Sequence, residues 1–274
     1  MGDRGDARTK NVLISKTSLL QNEASFDRLF CDVVAQDTYS IFYNRYFSDD
    51  PIFNHAKFSD AVLESENYSS SEVQVMFQTI VDRTKEFQIP ASLYAERFWN
   101  NARSLESDAI DFGFVIIEQM HVLAKTVGSE KQKDSRIEVS FTEDVELWNN
   151  AFVKSFKIPE VWIPELRRRL ESALSDPFTR LVVARESGFS EASGCLLLHN
   201  TPKNCMGVYC VGTVPERRSR GIASAMMAEA ELEARWVGCE VIVLQTVASD
   251  GVTPMYFKMG YETAFDRDVL QFGR

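Results

Sequence analysis

Val214-Pro-Glu-Arg-Arg-Ser-Arg-Gly-Ile-Ala-Ser-Ala225 decides the reading of this 274-residue chain. The stretch closes an apolar run, 208–214, with the length and residue types of a strand. It then enters a helical pattern in which Ile222, Met226, Ala230, Ala234 and Val237 fall on one face. Gly238 stands where a left-handed helix end belongs. A strand that feeds a glycine-containing turn at a helix start suits an anion, because the first-turn N–H groups lack partners and the helix dipole is positive there. Phosphate or pyrophosphate binds such an end. Gly221 has no Cβ to hold a phosphate away, Ala223 is small, and Arg218 and Arg220 add positive charge. Neither GxxxxGK[ST] nor GxGxxG is present, so neither a P-loop nor a dinucleotide fingerprint is expected. On these residues alone the stretch reads equally as a phosphate-binding turn or as a surface loop with a glycine turn and a basic rim.

Working outward, the flanking pattern is mixed. Upstream of the loop, strands are expected at 137–141, 180–185 and 194–198, with helices at 142–156, capped by Thr142, and 162–174. Arg167-Arg168-Arg169 lies on the second helix as a solvated basic face. Downstream come a strand at 240–244, a short helix at 253–259 and a closing strand at 262–272. The order β-α-α-β-β-β-α-β-α-β combines hairpins with parallel crossovers, which places the fold in the α/β (α+β) class with a mixed sheet.

The polar segment from Gly128 to Arg136 reads as a linker and divides the chain into 1–136 and 137–274. Before it, Ser69 and Glu72 form a capping box ahead of an apolar helical stripe from Val73 to Phe87. Strands are expected at 91–95 and 114–123, with a helix between Phe98 and Ile110.

Composition narrows the function. Forty acidic residues against 30 basic ones give a formal charge of −10, which disfavours a nucleic-acid binder and favours cationic substrates. No apolar run reaches the roughly 20 residues of a membrane helix. The opening residues lack a secretory h-region, and Asp6 stands where a myristoylation signal has Ser or Thr, so the expected location is cytoplasmic. Five cysteines without a CxxC pair and three scattered histidines predict reduced thiols and no metal site.

The loop resembles the R/Q-x-x-G-x-G/A motif of the GNAT (GCN5-related) N-acetyltransferase superfamily, here Arg218-Ser219-Arg220-Gly221-Ile222-Ala223. Thr213-Val214-Pro215 is similar to that family's V-x-P strand end. Downstream, Pro254-Met-Tyr-Phe-Lys-Met-Gly-Tyr261 resembles its L-Y-x-x-x-G-F signature, with Met255 for Leu and Tyr261 for Phe. Both signatures lie in the expected order, and the resemblance covers about half the chain.

The resemblance implies acetyl-coenzyme A as cofactor and a primary amine, of a small molecule or a protein, as acceptor. It places the pyrophosphate on Arg218, Ser219, Arg220, Gly221, Ile222, Ala223 and Ser224, and the pantetheine arm along Val211, Gly212 and Thr213. A backbone N–H near Val211 would polarise the thioester carbonyl. Tyr256 matches the residue that acts as general acid toward the departing thiolate. Many relatives carry a Glu on the strand before the loop, whereas Val208-Tyr-Cys-Val-Gly212 has no carboxylate. His199, at the end of the preceding strand, could serve as the base, and water relayed to backbone carbonyls is the alternative. Covalent transfer through Cys210 is disfavoured, since direct attack in a ternary complex is the family norm.

The first half repeats part of this pattern. Gly113-Phe114 parallels Gly260-Tyr261, but Ala109 then stands opposite Tyr256, and no R-x-x-G-x-G/A segment occurs there. The whole chain thus resembles the tandem acetyltransferases, with a degenerate N-terminal domain and a catalytic C-terminal one. Such a half would wall the acceptor cleft or recruit a partner, with His55 and Trp99 as surface candidates. Asp111-Phe112-Gly113 lacks the companion motifs of a kinase. The competing reading is an acetyl-coenzyme A-binding protein-interaction module without turnover.

Overall fold

A computed structural model describes residues 15–59, 62, 69–96, 105–128, 136–201 and 205–273. Trp99, the start of the helix expected from Phe98 and the centre of the 128–136 linker lie outside the described residues.

Among the described residues eleven strands make one sheet. They are β1 (Asp32–Ala35), β2 (Tyr39–Tyr43), β3 (His55–Phe58), β4 (Ser92–Glu96), β5 (Phe114–Thr126), β6 (Ile137–Thr142), β7 (Thr179–Glu186), β8 (Gly194–Thr201), β9 (Cys205–Thr213), β10 (Val241–Val247) and β11 (Glu262–Phe272). The described helices are α1 (Lys16–Phe30), α2 (Ser70–Phe87), α3 (Leu105–Phe112), α4 (Val145–Phe156), α5 (Ile163–Ala173), α6 (Ile222–Trp236) and α7 (Thr253–Lys258). From Ile137 onward the order is the one the sequence predicts. Asp144, not Thr142, caps α4: its carboxylate accepts from the Leu147 N–H at 2.9 Å, while Thr142 accepts from Asp144 itself. Ahead of Ser69 the sequence reading placed no element, and the structure places α1 and three strands there.

The strand order is β1-β2-β3-β4-β11-β5-β10-β9-β8-β7-β6. Its centre is the antiparallel pair β5 and β11, and the two sides mirror each other about it. On one side β3, α2 and β4 make a parallel crossover; on the other β9, α6 and β10 do the same. Each half therefore receives the other's closing strand. β5, from the first half, pairs with β10 from Val241↔Thr126 to Val247↔Met120, and β11 pairs with β4 from Arg267↔Glu96 to Gln271↔Ser92.

Side-chain alternation along the strands assigns the layers. Leu123, Leu196, Val208 and Leu244 pack under α6 and α7, and Ile41, Leu93 and Phe114 pack under α2 and α3. The opposite face carries α1, α4 and α5 over Phe42, Leu181, Leu197 and Tyr209. There α1 crosses the middle of the sheet on a buried charge cluster. Arg267 of β11, fully buried, donates to Glu23 of α1, with Nη2 at 2.7 Å from Oε2, and Lys57 of β3 lies 2.8 Å from Glu23 and 2.6 Å from Asp27. Burial alone would raise the Glu23 carboxyl, but the Arg267 guanidinium and the Lys57 ammonium together hold it well below the usual range.

Candidate active site

The site begins with a parting of two strands. β9 and β10 pair in parallel over only three positions, Cys205↔Val241 to Gly207↔Val243. Beyond them β9 continues to Thr213 on the β8 side and β10 to Val247 on the β5 side. The result is a wedge between the two, in which backbone groups of β9 and β10 face each other without pairing.

A bulge sits at the wedge. Leu197 pairs with Tyr209 and Cys195 with Gly212, so Cys210 and Val211 together oppose Leu196. Cys210 takes φ +56°, a left-handed conformation that costs a non-glycine residue about 1–2 kcal/mol. The disrupted ladder leaves the Leu196 carbonyl to Trp148 of α4, whose indole Nε1–H donates to it at 2.8 Å. Trp148 is fully buried, so this bond satisfies an acceptor that water does not reach.

The loop that follows is held in place by its arginines. Arg218 donates to the Thr213 carbonyl at 3.3 Å and to the Ser155 carbonyl, at the end of α4, at 3.0 Å. Arg220 reaches Glu186 at 3.1 Å and the Glu216 carbonyl at 3.2 Å. Arg217 joins Glu186 at 3.3 Å and covers the Phe189 ring at 3.8 Å. The sequence gives Arg218 and Arg220 the task of attracting an anion; in the structure they also brace the turn. Ser219, φ +62°, and Gly221, φ +84°, then set the backbone for α6. Gly221 is its N-cap and supplies no side-chain acceptor, so the N–H groups of Ile222, Ala223 and Ser224 open onto the end of the wedge. Gly194 of β8 lets this end approach the sheet: a Cβ there would stand 2.7 Å from Ile222 and 2.9 Å from the Gly212 carbonyl. Val211 packs toward α6, while Gly212 lies against Ser155 and Phe156 of α4.

The equivalent helix of the first half is finished differently. The α2 N-terminus is closed by Ser69, which caps the Glu72 N–H, and by Glu72, which returns to the Ser69 N–H at 2.7 Å. A carboxylate and a hydroxyl thus occupy the positions that α6 leaves open.

Tyr256 stands on α7 in the same core cluster as Val211, Ile222 and Leu244. Its ring meets Tyr261 edge-on at 5.9 Å, and burial pushes its hydroxyl up to about 12. The structure therefore places Tyr256 in one apolar cluster with Val211 and Ile222. It does not bring His199 to them. His199 pairs with Gly207, six residues before Thr213 on β9, at the closed end of the wedge. It is buried, with Nδ1 2.9 Å from Thr179 Oγ1 and Nε2 2.8 Å from Ser25 Oγ, and desolvation lowers its pKa. Both ring nitrogens are occupied, which leaves no lone pair for a substrate. His55 is likewise buried, stacked on Tyr94 at 4.0 Å, and lines no surface. Burial pushes the half-buried Cys210 thiol up to about 12, so it supplies no thiolate for covalent transfer at neutral pH.

Two features escape the sequence reading: Trp148, read only as part of a helical stripe, and the pair His121–Asp266 across β5 and β11, 2.7 Å apart. Among the described residues no group of His, Cys, Asp and Glu can hold a metal ion, and no helix is long and apolar enough to cross a membrane. Arg167, Arg168 and Arg169 are each paired, with Glu146, Glu165 and Asp32.

Residues 145–261 match the model of the acetyltransferase (GNAT) family. Solved structures that share the fold include a GCN5-related N-acetyltransferase from Kribbella flavida, 16% identical, with a TM-score of 0.71 over 94% of this chain and 94% of that one. A GCN5-related N-acetyltransferase from Sphaerobacter thermophilus is 15% identical, with a TM-score of 0.67 over 90% of this chain and 84% of its own. A tandem GNAT protein from the clavulanic acid biosynthesis pathway is 9% identical, with a TM-score of 0.60 over 88% and 82% of the two chains. At these identities the likeness is one of fold, and it extends over both halves of the chain. No curated protein matches.

Proposed function

We propose, from the match of residues 145–261 to the acetyltransferase (GNAT) family model, that the chain transfers the acetyl group of acetyl-coenzyme A to a primary amine in a ternary complex. The observation that carries this reading is the meeting of three features at one place: the wedge between β9 and β10, the bulge at Cys210 and Val211, and the uncapped start of α6. The α6 N-terminus and the turn from Arg218 to Ser224 would take the pyrophosphate, since unpaired N–H groups and a positive helix end suit that charge. The edge of β9 at Val211, Gly212 and Thr213 would pair with the pantetheine amides. The bulge would turn a backbone N–H toward the thioester oxygen, where it stabilises the negative charge that develops on attack.

Tyr256 is the group for the departing sulfur. With its hydroxyl pushed up to about 12 and a free thiol near 8.5, complete proton transfer to the thiolate would cost roughly 4–5 kcal/mol. Tyr256 therefore serves by donating a hydrogen bond to the sulfur as the C–S bond breaks, and transfer is completed as coenzyme A leaves. The division at 136/137 fits a tandem pair of units whose closing strands have crossed. The first unit then holds no cofactor, because the capping box of α2 puts Glu72 where a phosphate would lie. The acceptor is a small-molecule or protein amine, and the net charge of −10 favours a cationic one.

Thiol release from acetyl-coenzyme A over a panel of amines tests the reading. Turnover with at least one amine is expected. Tight acetyl-coenzyme A binding with no thiol release from any of them would instead support a cofactor-binding interaction module, which the absence of a β9 carboxylate favours.

A further inference from the structure

We infer that His121 and Asp266 form the proton relay for the acceptor amine, so that the first half of the chain supplies a working group to the second half's site. The inference rests on the acetyltransferase reading above. β9 carries no carboxylate between Val208 and Gly212, and His199 is held at both nitrogens away from the loop.

Register places the pair at the height of the bulge. Val243 of β10 is level with Gly207 of β9, so Thr246, three residues on, is level with Cys210. Thr246 sits directly opposite His121 of β5, and side chains opposite each other in an antiparallel pair share a face. On that face Thr246 Oγ1 lies 2.9 Å from Thr253 Oγ1, and Thr253 opens α7, one turn before Tyr256. His121 thus stands one strand from the wedge, on the Tyr256 side of the sheet. With strands about 4.8 Å apart, β5 and β9 are roughly 10 Å apart before the splay widens the gap. An imidazole with one bridging water spans that distance.

The imidazole is oriented for the task. Its Nδ1 meets Asp266 Oδ1 at 2.7 Å; an ionised carboxylate only accepts, so Nδ1 carries the hydrogen and Nε2 keeps its lone pair. No group among the described residues bonds to Nε2. The side chains are 24% and 40% exposed, so solvent and substrate reach them, unlike His55 and His199. Other charged groups on this face include Asp268, bonded to Gln119, and Lys125, paired with Glu231. With neutral imidazole the dyad carries one negative charge and attracts an ammonium.

The step balances as follows. An acceptor ammonium gives one proton to His121 Nε2. The freed nitrogen lone pair forms the C–N bond as the C–S bond breaks, and its electron pair leaves on sulfur. Sulfur takes a proton from Tyr256, the amide nitrogen loses its second proton to restore Tyr256 through water, and His121 releases the first to solvent.

His121→Gln and Asp266→Asn test this, with kcat/KM for thiol release followed against pH and acetyl-coenzyme A affinity measured by calorimetry. For His121→Gln a fall of roughly a hundredfold, loss of the acid limb of the profile and unchanged cofactor affinity are expected. For Asp266→Asn a smaller fall in kcat/KM with unchanged cofactor affinity is expected, because the imidazole loses the carboxylate that fixes its Nδ1 hydrogen and orients the ring. Added imidazole should restore part of the rate of His121→Gly. An active wild type whose His121→Gln form keeps both its rate and its acid limb overturns the relay alone and leaves a surface ion pair. A wild type that binds acetyl-coenzyme A but turns over no amine overturns the acetyltransferase reading and the relay with it.

Discussion

Gly221 is the residue on which the cofactor assignment turns. Its φ of +84° suits glycine, and its missing side chain keeps the approach to α6 open. Gly221→Val should strain the turn by about 1–2 kcal/mol and block a phosphate. Calorimetry should show acetyl-coenzyme A binding weakened at least roughly tenfold, or about 1.4 kcal/mol; unchanged affinity would remove the pyrophosphate from this loop. Tyr256→Phe deletes one hydrogen bond to a developing anion, worth about 1.5–3 kcal/mol. The expected fall in kcat is therefore roughly tenfold to a hundredfold, with KM for acetyl-coenzyme A little changed. Trp148→Phe keeps an aromatic ring but is smaller and orphans the Leu196 carbonyl, so chemical denaturation should show a loss of at least about 1–3 kcal/mol. Tyr256 and Gly221 were legible because a signature names them. Trp148, His121 and Asp266 were not, because their roles depend on partners 48 and 145 residues away in the chain.

At the scale of elements, α1 shows why a helix can hide. Its buried positions are Leu19, Asn22, Glu23, Phe26, Asp27 and Phe30, spaced as a helical face, but three of the six are polar. An apolar periodicity is therefore faint in the sequence, and the face makes sense only against Arg267 and Lys57. The expected strand before the loop is present, but its bulge was unreadable, because the left-handed residue is Cys210 and not a glycine. The charge cluster also makes stability depend on pH. The Glu23 carboxyl lies lower in the folded chain than in the unfolded one, so its contribution is complete above about pH 4.3 and fades as pH falls below that value. Glu96, pushed up by burial, works in the opposite sense, so Glu23 must be isolated by substitution. Glu23→Gln should cost about 3–5 kcal/mol at neutral pH by removing the carboxylate that Arg267 and Lys57 share, leaving Arg267 only the longer contact to Glu96. Urea denaturation should also show a flatter loss of stability toward acid than in the wild type; an equally steep loss would place the acid-sensitive group elsewhere.

At the scale of the whole molecule, the crossing of β5 and β11 makes the halves inseparable. A fragment of 137–274 would expose β10 and β11 along the edges that β5 covers, and unpaired edges associate. Size-exclusion chromatography should find that fragment aggregated, and co-expression of 1–136 should recover a soluble, cofactor-binding complex. A monomeric fragment that binds acetyl-coenzyme A by itself would show that the exchange is dispensable. The intact chain should bind one acetyl-coenzyme A, since α6 is open at its start and α2 is closed. The mixed α/β class and the element order after Ile137 were legible, because each element carries its own periodicity. The exchange was not, because it depends on which of two equivalent edges a closing strand joins.

That exchange also sets an order of assembly during synthesis. β5 leaves the ribosome with neither of its neighbours made, and must wait while β6 through β10 follow before β11 can lie between it and β4. The exposed flanks of β5, with Val115 and Ile116 still half open to solvent in the finished fold, are then a stretch for chaperones to shield. Codon changes that hasten or slow translation between 127 and 261 should alter the soluble yield of this protein more than equal changes before 114.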